Sequence, residues 1–389
     1  AGVEKTVQQM KAGGISIATW VEEMIAAGNK SFYKTEGGKT LCYDPQSKTY
    51  KPVPGSNEFI ILNNYQDKTV WKNASSKVFD IGDDVLALQW NTKMNSIGGD
   101  VLEGINKAIE LAEKNYKGLV IANDGANFSA GANVGMIFML AIEQEYDELD
   151  MAIRLFQSTM MRCRYSSIPV VVAPHGLALG GACEMSLHSD KVCAAAETYT
   201  GLVELGVGLI PGGGGTKEFV VRASDEMHED EPETITLKNR FLTIATAKVA
   251  TSAHEGFDIG VYRKGLDEIV MNQSRRVGEA KRSVIEIYDS GYVMPVQKKD
   301  VKVLGRSALG ALLAGINGMW RAQYATDHDV TVAKKLAYVM CGGDLSEPTL
   351  VSEQYLLDLE REAFLSLCGE KKSLERIQSV LKSGKPVRN

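Results

Sequence analysis

Residues 174–185 read PHGLALGGACEM, and residues 204–216 read ELGVGLIPGGGGT. Each segment holds one glutamate, Glu184 or Glu204, in a glycine-rich frame. Glycines at a junction between elements let a ligand approach the backbone closely. One carboxyl group can accept a proton while the other donates one, and neighbouring backbone N–H groups can stabilise negative charge on a carbonyl oxygen. The two segments together predict addition or removal of water next to a carbonyl group.

The first segment predicts a strand that passes into a helix at Gly180 and Gly181. The first N–H groups of a helix have no internal partner, and the helix dipole favours negative charge there. We therefore expect the Gly181 amide to be an oxyanion donor, with Glu184 projecting on the same side one turn later. Taken alone, the pattern fits a tight turn with a surface glutamate equally well.

A second amide donor is expected from the loop of small residues at 127–133, which reads NFSAGAN. This loop follows a predicted buried strand at 119–122, and α/β proteins bind ligands beyond the carboxyl ends of such strands. The Ala132 amide is the candidate donor. Loops of this composition are common, so the segment is informative only beside the other two.

The wider pattern predicts an α/β core with a mainly buried sheet, because short apolar runs alternate with helical segments. Residues 1–55 predict two short helices followed by a polar loop, and residues after 238 predict almost only helix. The predicted strands are 59–62, 77–80, 85–89, 119–122, 169–173, 192–196 and 199–202. The predicted helices include 98–114, 136–164, 353–367 and 372–381.

Charge and composition exclude several classes of protein. The chain has 389 residues and a net charge of −6, so it offers no general attraction to nucleic acid or to an anionic membrane. No apolar run reaches the ~18 residues of a membrane span. Six cysteines without C-x-x-C spacing predict a reduced, cytoplasmic compartment and no zinc site. The acidic stretch 225–233 predicts a solvated surface loop.

The glycine-rich segments do not match the motifs of nucleotide-binding proteins. Residues 212–217 lack the Gly-Lys-Ser/Thr ending of a phosphate-binding loop, and residues 206–211 lack the dinucleotide fingerprint. No G-x-S-x-G elbow occurs, so no serine triad is predicted. His175 adjoins the first segment, and we expect it to be packed or solvent-facing rather than catalytic.

Three motifs in this order resemble the crotonase (enoyl-CoA hydratase/isomerase) superfamily, over residues 77–223 and the last forty residues. Residues 128–133 are similar to its first oxyanion and adenine-binding loop, and residues 176–184 to its second oxyanion turn. Residues 204–216 resemble its P-E-x-x-L-G-x-x-P-G-x-G-G-T segment, with Val203 in place of proline. The motif LEREAF at 359–364 resembles its C-terminal helices. The resemblance implies a ClpP/crotonase-type ββα spiral core with a helical C-terminal region.

The resemblance also implies roles for individual residues. Glu184 and Glu204 would be the acid–base pair that acts on water, and the amides of Ala132 and Gly181 would hold the thioester oxygen. No metal is implied. The implied contacts to coenzyme A are Lys93, Ala130, Gly131, Asn133 and Gly212.

Some features depart from the family pattern. Asn133 stands where the family usually has aspartate, and the segment 91–95 lacks its usual proline. The acidic stretch 225–233 and part of the segment between Tyr288 and Glu353 look inserted. These departures bear on substrate range and oligomer contacts more than on the chemistry.

The first residues are similar to the end of a 3-hydroxyacyl-CoA dehydrogenase, as judged from residues 2–7, 20–24 and 28–33. This resemblance, with the absence of an initial methionine, implies a piece of a bifunctional polypeptide whose dehydrogenase domain comes first. The domains expected are a dehydrogenase remnant and linker at 1–55, a crotonase core at 56–290 and a helical region at 291–389.

The implied function is hydration of trans-2-enoyl-CoA in fatty acid β-oxidation. An isomerase that moves a double bond between C3 and C2 is one alternative, and a non-catalytic crotonase-like module is another. We expect no cofactor within this chain, because coenzyme A is part of the substrate and NAD would belong to the missing dehydrogenase domain. The family habit implies a homo-oligomer, commonly a trimer.

Overall fold

A computed structural model of the protein describes residues 2–56, 58–228 and 232–389. The N-terminal part contains two helices and a small antiparallel sheet in the order β1-β2-β3. These elements are α1 (Val3–Ala12), α2 (Thr19–Ala26), β1 (Tyr33–Glu36), β2 (Lys39–Asp44) and β3 (Thr49–Pro52).

The polar loop predicted for the second half of residues 1–55 is wrong, because this segment folds into the three strands. The strands are mostly exposed on both faces, so their sequences lack the alternation of apolar and polar residues that identifies a strand. Their packing is aromatic instead. The rings of Trp20 and Tyr43 stack at 6.4 Å, and that of Tyr50 lies 5.5 Å from Tyr43.

The central part of the chain alternates strands and helices. Its first elements are β4 (Thr69–Lys72), β5 (Ser76–Asp80), β6 (Val85–Trp90), α3 (Gly99–Asn115), β7 (Gly118–Ile121), α4 (Val134–Glu143), α5 (Tyr146–Arg164), β8 (Val170–Val172), β9 (Gly176–Leu179) and α6 (Gly181–Leu187). They are followed by β10 (Lys191–Ala195), β11 (Thr198–Gly201), α7 (Gly215–Glu226), α8 (Glu233–Ala245), α9 (Ala253–Asp258), β12 (Glu268–Val270) and α10 (Arg276–Asp289).

Seven of these strands form one sheet in the order β12-β10-β8-β7-β6-β5-β4. The five strands from β12 to β6 are parallel, and β5 and β4 complete the sheet in antiparallel fashion. The predicted α/β core with a buried sheet is confirmed, since β7 and β8 are buried at every position. The strand predicted at 59–62 is wrong, because these residues lead into a 3-10 helix at Leu62–Lys68.

Two strands leave the main sheet together. Strands β9 and β11 pair in parallel, from Thr198 opposite Gly176 to Gly201 opposite Leu179. Each follows a strand of the main sheet and precedes a helix, so β8-β9-α6 repeats as β10-β11-α7. This repeated ββα unit brings the two glycine-rich segments next to each other.

The C-terminal part is helical, as expected, apart from one short antiparallel pair of strands. Its elements are β13 (Val301–Val303), α11 (Gly305–Arg321), α12 (Asp327–Met340), β14 (Thr349–Val351), α13 (Glu353–Cys368) and α14 (Lys371–Ser383). The ends of the acidic stretch 225–233 belong to α7 and α8, while residues 229–231 lie outside the described residues. Within the described ranges, none of the helices combines the length and apolar character needed to cross a membrane.

Helix α13 is held against α7 by a buried ionic network. Lys217 Nζ lies 2.8 Å from Glu353 Oε2 and 3.3 Å from Glu218 Oε2. Glu218 Oε1 also pairs with Arg164 at 2.5 Å and with Arg222 at 3.0 Å. The side chains of Lys217 and Glu353 are both fully buried. Removing one partner of such a network leaves an uncompensated charge in the interior.

We therefore expect Lys217→Met to lower the free energy of unfolding by about 3–5 kcal/mol, because Glu353 stays buried without its cation. Urea denaturation followed by circular dichroism measures this change. Lys371→Met is the matched control, since Lys371 is 90% exposed and lies 4.0 Å from its partner Glu375. Equal stability of the two variants would contradict a structural role for the network.

Candidate active site

The candidate site lies where β9 passes into α6. Gly180, at this junction, has a φ of +54°, a region that favours glycine, and its N–H donates to Gly201 O at 2.9 Å. A Cβ added at Gly180 would lie 3.0 Å from Glu204 Oε1. The glycine thus allows both the turn and the close approach of the Glu204 carboxyl group to the backbone.

The two predicted oxyanion donors are neighbours. A Cβ added at Gly181 would lie 3.2 Å from Ala132 N, and one added at Gly131 would lie 3.2 Å from Gly181 N. Neither the Ala132 nor the Gly181 N–H donates to another group in the described part of the chain. Two unpaired backbone donors therefore lie side by side, which is the arrangement that an oxyanion site needs. Their catalytic role stays a prediction.

The loop that carries Ala132 is fastened on both sides. Ser129 N donates to Leu177 O of β9 at 2.8 Å, and Ile97 N donates to Gly131 O at 2.8 Å. Residues 129–131 are therefore paired like a strand, with β9 on one side and with Ile97 on the other. The position of the Ala132 amide is therefore set by backbone pairing rather than by a free loop.

Glu184 lies on α6 and is bonded to the first turn of α7. Its Oε1 accepts from Gly213 N at 2.7 Å and from Gly215 N at 2.9 Å. The residue is 3% exposed. Burial raises the pKa of Glu184 to about 7, although the two amide bonds act in the opposite direction. This carboxyl group can change its protonation state near neutral pH.

Glu204 begins a 3-10 helix at Glu204–Val207. The residue is partly exposed, but its Oε2 is buried and has no hydrogen-bond partner among the described residues. Burial holds the pKa of Glu204 well above its usual value, and the nearby Glu184 charge adds to the effect. A carboxyl group that keeps its proton and has a free oxygen is suited to donate that proton.

A third buried carboxyl group, Glu360 of α13, adjoins these two. Its Oε1 accepts from Gly214 N at 2.6 Å, and its Oε2 accepts from Lys217 N at 2.9 Å. Burial raises the pKa of Glu360 to about 8, with the Glu184 charge as the second cause. Sequence analysis quoted the segment 359–364 but did not single out Glu360. Its helical spacing from the buried Leu356 and Phe364 is the signal that it faces inward.

The run of four glycines thus binds carboxyl groups of the protein's own side chains through its backbone amides. The amides of residues 213–215 all donate to Glu184 or Glu360. Gly212 packs against α13, since a Cβ added there would lie 2.6 Å from Phe364 Cδ2. A contact between Gly212 and coenzyme A stays a prediction.

The other predicted contacts to coenzyme A cluster at one end of the site. Lys93 is exposed in a 3-10 helix at Lys93–Asn95, and the next residue, Met94, accepts from Ala130 N at 3.1 Å. Gly131 adjoins them. Asn133 caps α4, where its Oδ1 accepts from Gly135 N at 3.2 Å. The structure brings these residues together, and their binding role stays a prediction.

A half-buried aromatic ring that was not predicted as a site residue lies close to both Gly181 and Gly213. Phe156 of α5 would lie 2.7 Å from a Cβ added at Gly181 and 2.6 Å from one added at Gly213. The sequence around Phe156 is like that around the core residues of α5. No local pattern therefore distinguishes it as a site residue. His175 is packed, as expected, with Nε2 at 2.9 Å from Gly125 O, and burial lowers its pKa to about 4.

A cavity of about 990 Å³ has none of the Glu184, Glu204 and Glu360 side chains in its lining. It is mainly apolar and runs between α8, α11 and α12, with Leu205 and Gly206 on one wall. Cavity size therefore does not mark the candidate site. The unpaired amides and the displaced pKa values of the glutamates do.

Comparison with known proteins places the candidate residues in a recognised family segment. Residues 83–227 match the family model described as Enoyl-CoA hydratase/isomerase, and this range includes Ala132, Gly181, Glu184 and Glu204. The chain has the crotonase fold. An enoyl-CoA hydratase structure from Bacillus halodurans aligns with 79% of this chain and 100% of its own, at a TM-score of 0.53 and 15% identity.

Longer curated proteins also match. A Bacillus subtilis protein named "Probable 3-hydroxyacyl-CoA dehydrogenase" is 42% identical over 390 residues, covering 100% of this chain and 48% of its own length. A Rickettsia felis protein named as a trifunctional enzyme of a fatty acid oxidation complex is 28% identical over 320 residues, covering 82% of this chain and 40% of its own. The chain spans about half the length, or less, of these relatives.

Proposed function

We propose that this chain carries an enoyl-CoA hydratase site, which adds water to a trans-2-enoyl-CoA to give a 3-hydroxyacyl-CoA. The observation that supports this most directly is that the Glu204 carboxyl group lies against Gly180 while the buried Glu184 carboxyl group is close enough to act on it by charge. The family match over residues 83–227 supports the same reaction class. Hydration needs one group to accept a proton and another to donate one.

The different surroundings of the two glutamates assign their roles in this proposal. Glu184 accepts two amide hydrogen bonds, which favour its ionised form, so it accepts a proton from water while the water oxygen bonds to C3. Glu204 keeps its proton and delivers it to C2 as the C2–C3 double bond becomes single. The thioester oxygen, which gains negative charge, accepts hydrogen bonds from Ala132 N and Gly181 N.

An isomerase needs only one carboxyl group to carry a proton from one carbon to another. Both Glu184 and Glu204 are held in the same buried region with raised pKa values, which favours the two-carboxyl reaction. A non-catalytic module would have no need for buried carboxyl groups beside unpaired amides, since such groups destabilise a fold. The hydratase proposal therefore accounts for more of the site than either alternative.

We further infer that the chain is part of a bifunctional polypeptide of fatty acid β-oxidation with a 3-hydroxyacyl-CoA dehydrogenase domain ahead of residue 1. The Bacillus subtilis relative supports this inference, because its similarity extends through residues 1–55 and the relative is about twice as long. In this proposal coenzyme A is part of the substrate, and NAD binds to the dehydrogenase domain. A cytoplasmic location and a homo-oligomer belong to the same proposal.

The bifunctional proposal predicts a native polypeptide of about twice the 42.3 kDa of this chain. Mass spectrometry of the protein purified from its own source, detected by antibodies against this chain, measures the mass. The same preparation should reduce NAD with 3-hydroxybutyryl-CoA, while the present chain alone should not. A native mass near 42.3 kDa would contradict the proposal.

Glu184→Gln and Glu204→Gln should each lower kcat for hydration of crotonyl-CoA by ~10²–10⁴, because each removes one of the two proton-transfer groups. Loss of absorbance of the conjugated thioester measures the rate. Glu143→Gln, at an exposed position, is the control and should keep the parent rate. A double variant of Glu184 and Glu204 that hydrates normally would refute the assignment, and conversion of a 3-enoyl-CoA at a higher rate than hydration would favour the isomerase.

The pH dependence of kcat/KM should be bell-shaped. Below the pKa of about 7, Glu184 is protonated and cannot accept a proton, so the rate falls as the pH drops through that value. Above the higher pKa of Glu204, its proton is lost and the rate falls again. Initial rates between pH 5 and 10 test this profile. A rate that stays constant from pH 5 to 7 would contradict the role of Glu184 as base.

A further inference from the structure

The first turn of α7 donates to two buried carboxyl groups in alternation. Gly213 N and Gly215 N donate to Glu184, whereas Gly214 N and Lys217 N donate to Glu360. Four amides of one helix terminus are thus divided between a residue of the predicted catalytic pair and a residue of α13. Neither carboxyl group can move without disturbing the amides that bind the other.

Glu360 is fixed from the opposite side as well. Gln157 Nε2 lies 3.3 Å from Glu360 Oε1 and also donates to Leu357 O at 3.0 Å. The side chain of Glu360 is fully buried, and no cation pairs with it among the described residues. Lys217, the nearest lysine in sequence to these amides, directs its Nζ to Glu353 and Glu218 instead.

The charged and titratable groups around Glu360 are therefore mostly acidic, or they form ion pairs with other residues. Arg361 pairs with Asp150 and Asp358, and the His188 ring lies 2.9 Å from a Cβ added at Gly214. Burial keeps His188 neutral at ordinary pH by lowering its pKa far below the usual value. Glu184 and Glu204 are the titratable side chains whose charges act on Glu360 or respond to it.

We propose that Glu360 is a positioning residue that aligns the first turn of α7 on Glu184. As a third buried carboxyl group, it also influences by its charge when the carboxyl groups of the site gain or lose protons. This proposal rests on the hydratase function proposed above. Glu360 does not need to touch the substrate. It acts through Glu184, since its bonds to Gly214 N and Lys217 N hold the intervening amide of Gly215 in place.

Two consequences follow from this geometry. Like charges in one buried region oppose each other, so Glu360, once it ionises above its pKa of about 8, makes loss of the Glu204 proton harder. A neutral side chain at position 360 removes that repulsion but also loses one acceptor, because an amide offers one oxygen where the carboxylate offers two. The charge effect changes the pH profile, and the acceptor effect changes the turnover rate.

Glu360→Gln should move the alkaline limb of kcat/KM for crotonyl-CoA about one pH unit lower, with KM changed less than twofold, because Glu204 then loses its proton without the Glu360 charge nearby. Glu362→Gln is the matched control, since Glu362 is an exposed residue of the same helix, and it should leave the profile unchanged. Glu360→Asp keeps the charge but is too short to reach both amides. It should keep the midpoint of the parent protein while kcat falls at least tenfold.

An unmoved alkaline limb in Glu360→Gln, or an equal shift in Glu362→Gln, would overturn the proposal. Should Glu360→Gln fail to fold, as judged by circular dichroism, an unchanged kcat in folded Glu360→Asp would overturn it instead. Carbon-13 NMR of glutamate carboxyl groups, with Glu204 assigned from Glu204→Gln, follows the same titration without turnover. The NMR midpoint therefore tests Glu360 even if the parent protein hydrates no thioester and the proposed function fails.

Discussion

The binding of two buried carboxyl groups by the first turn of α7 is the interaction on which the site depends. A carboxylate moved from water to a protein interior is strongly destabilised unless it is hydrogen-bonded. The N-terminus of a helix offers unpaired N–H groups and the positive end of its dipole, which suit an anion. Here Glu184 and Glu360 take four of those amides. The raised pKa values of both groups show that the amides offset only part of the cost of burial.

The same interaction explains why the turn is made of glycines. A Cβ at Gly213 would lie 2.6 Å from Glu184 Oε2, and one at Gly215 would lie 2.9 Å from Glu184 Oε1. No side chain fits between this turn and the carboxyl group it binds. A run of glycines before a helix is often associated with phosphate, but here the ligand is a side chain of the chain itself. A side chain at Gly213 or Gly215 would collide with the Glu184 carboxyl group. Substitution of these glycines is therefore not possible while Glu184 keeps its position.

Prediction from sequence succeeded where the signal is local and failed where it depends on distant partners. The strand-to-helix turn at Gly180 and the neighbouring glutamates were evident because a few adjacent residues define them. Glu360 was missed as a site residue, because its partner amides lie more than 140 positions earlier in the chain. The strands within residues 33–52 were missed because exposed strands carry no apolar alternation, and residues 59–62 were misassigned because four apolar residues also suit an irregular buried segment.

The different roles proposed for Glu184 and Glu204 follow from a difference in their surroundings. Both carboxyl groups reach the buried region around Gly180, so desolvation raises the pKa of each. What differs is the supply of hydrogen-bond donors. Glu184 receives two amides from α7, whereas Glu204 Oε2 receives none from the described residues. Because amide donors stabilise the ionised form, Glu184 loses its proton first, and its charge then makes Glu204 hold its own more tightly. In the proposed mechanism, the positions of the α7 amides thus determine which glutamate acts as the base and which as the acid.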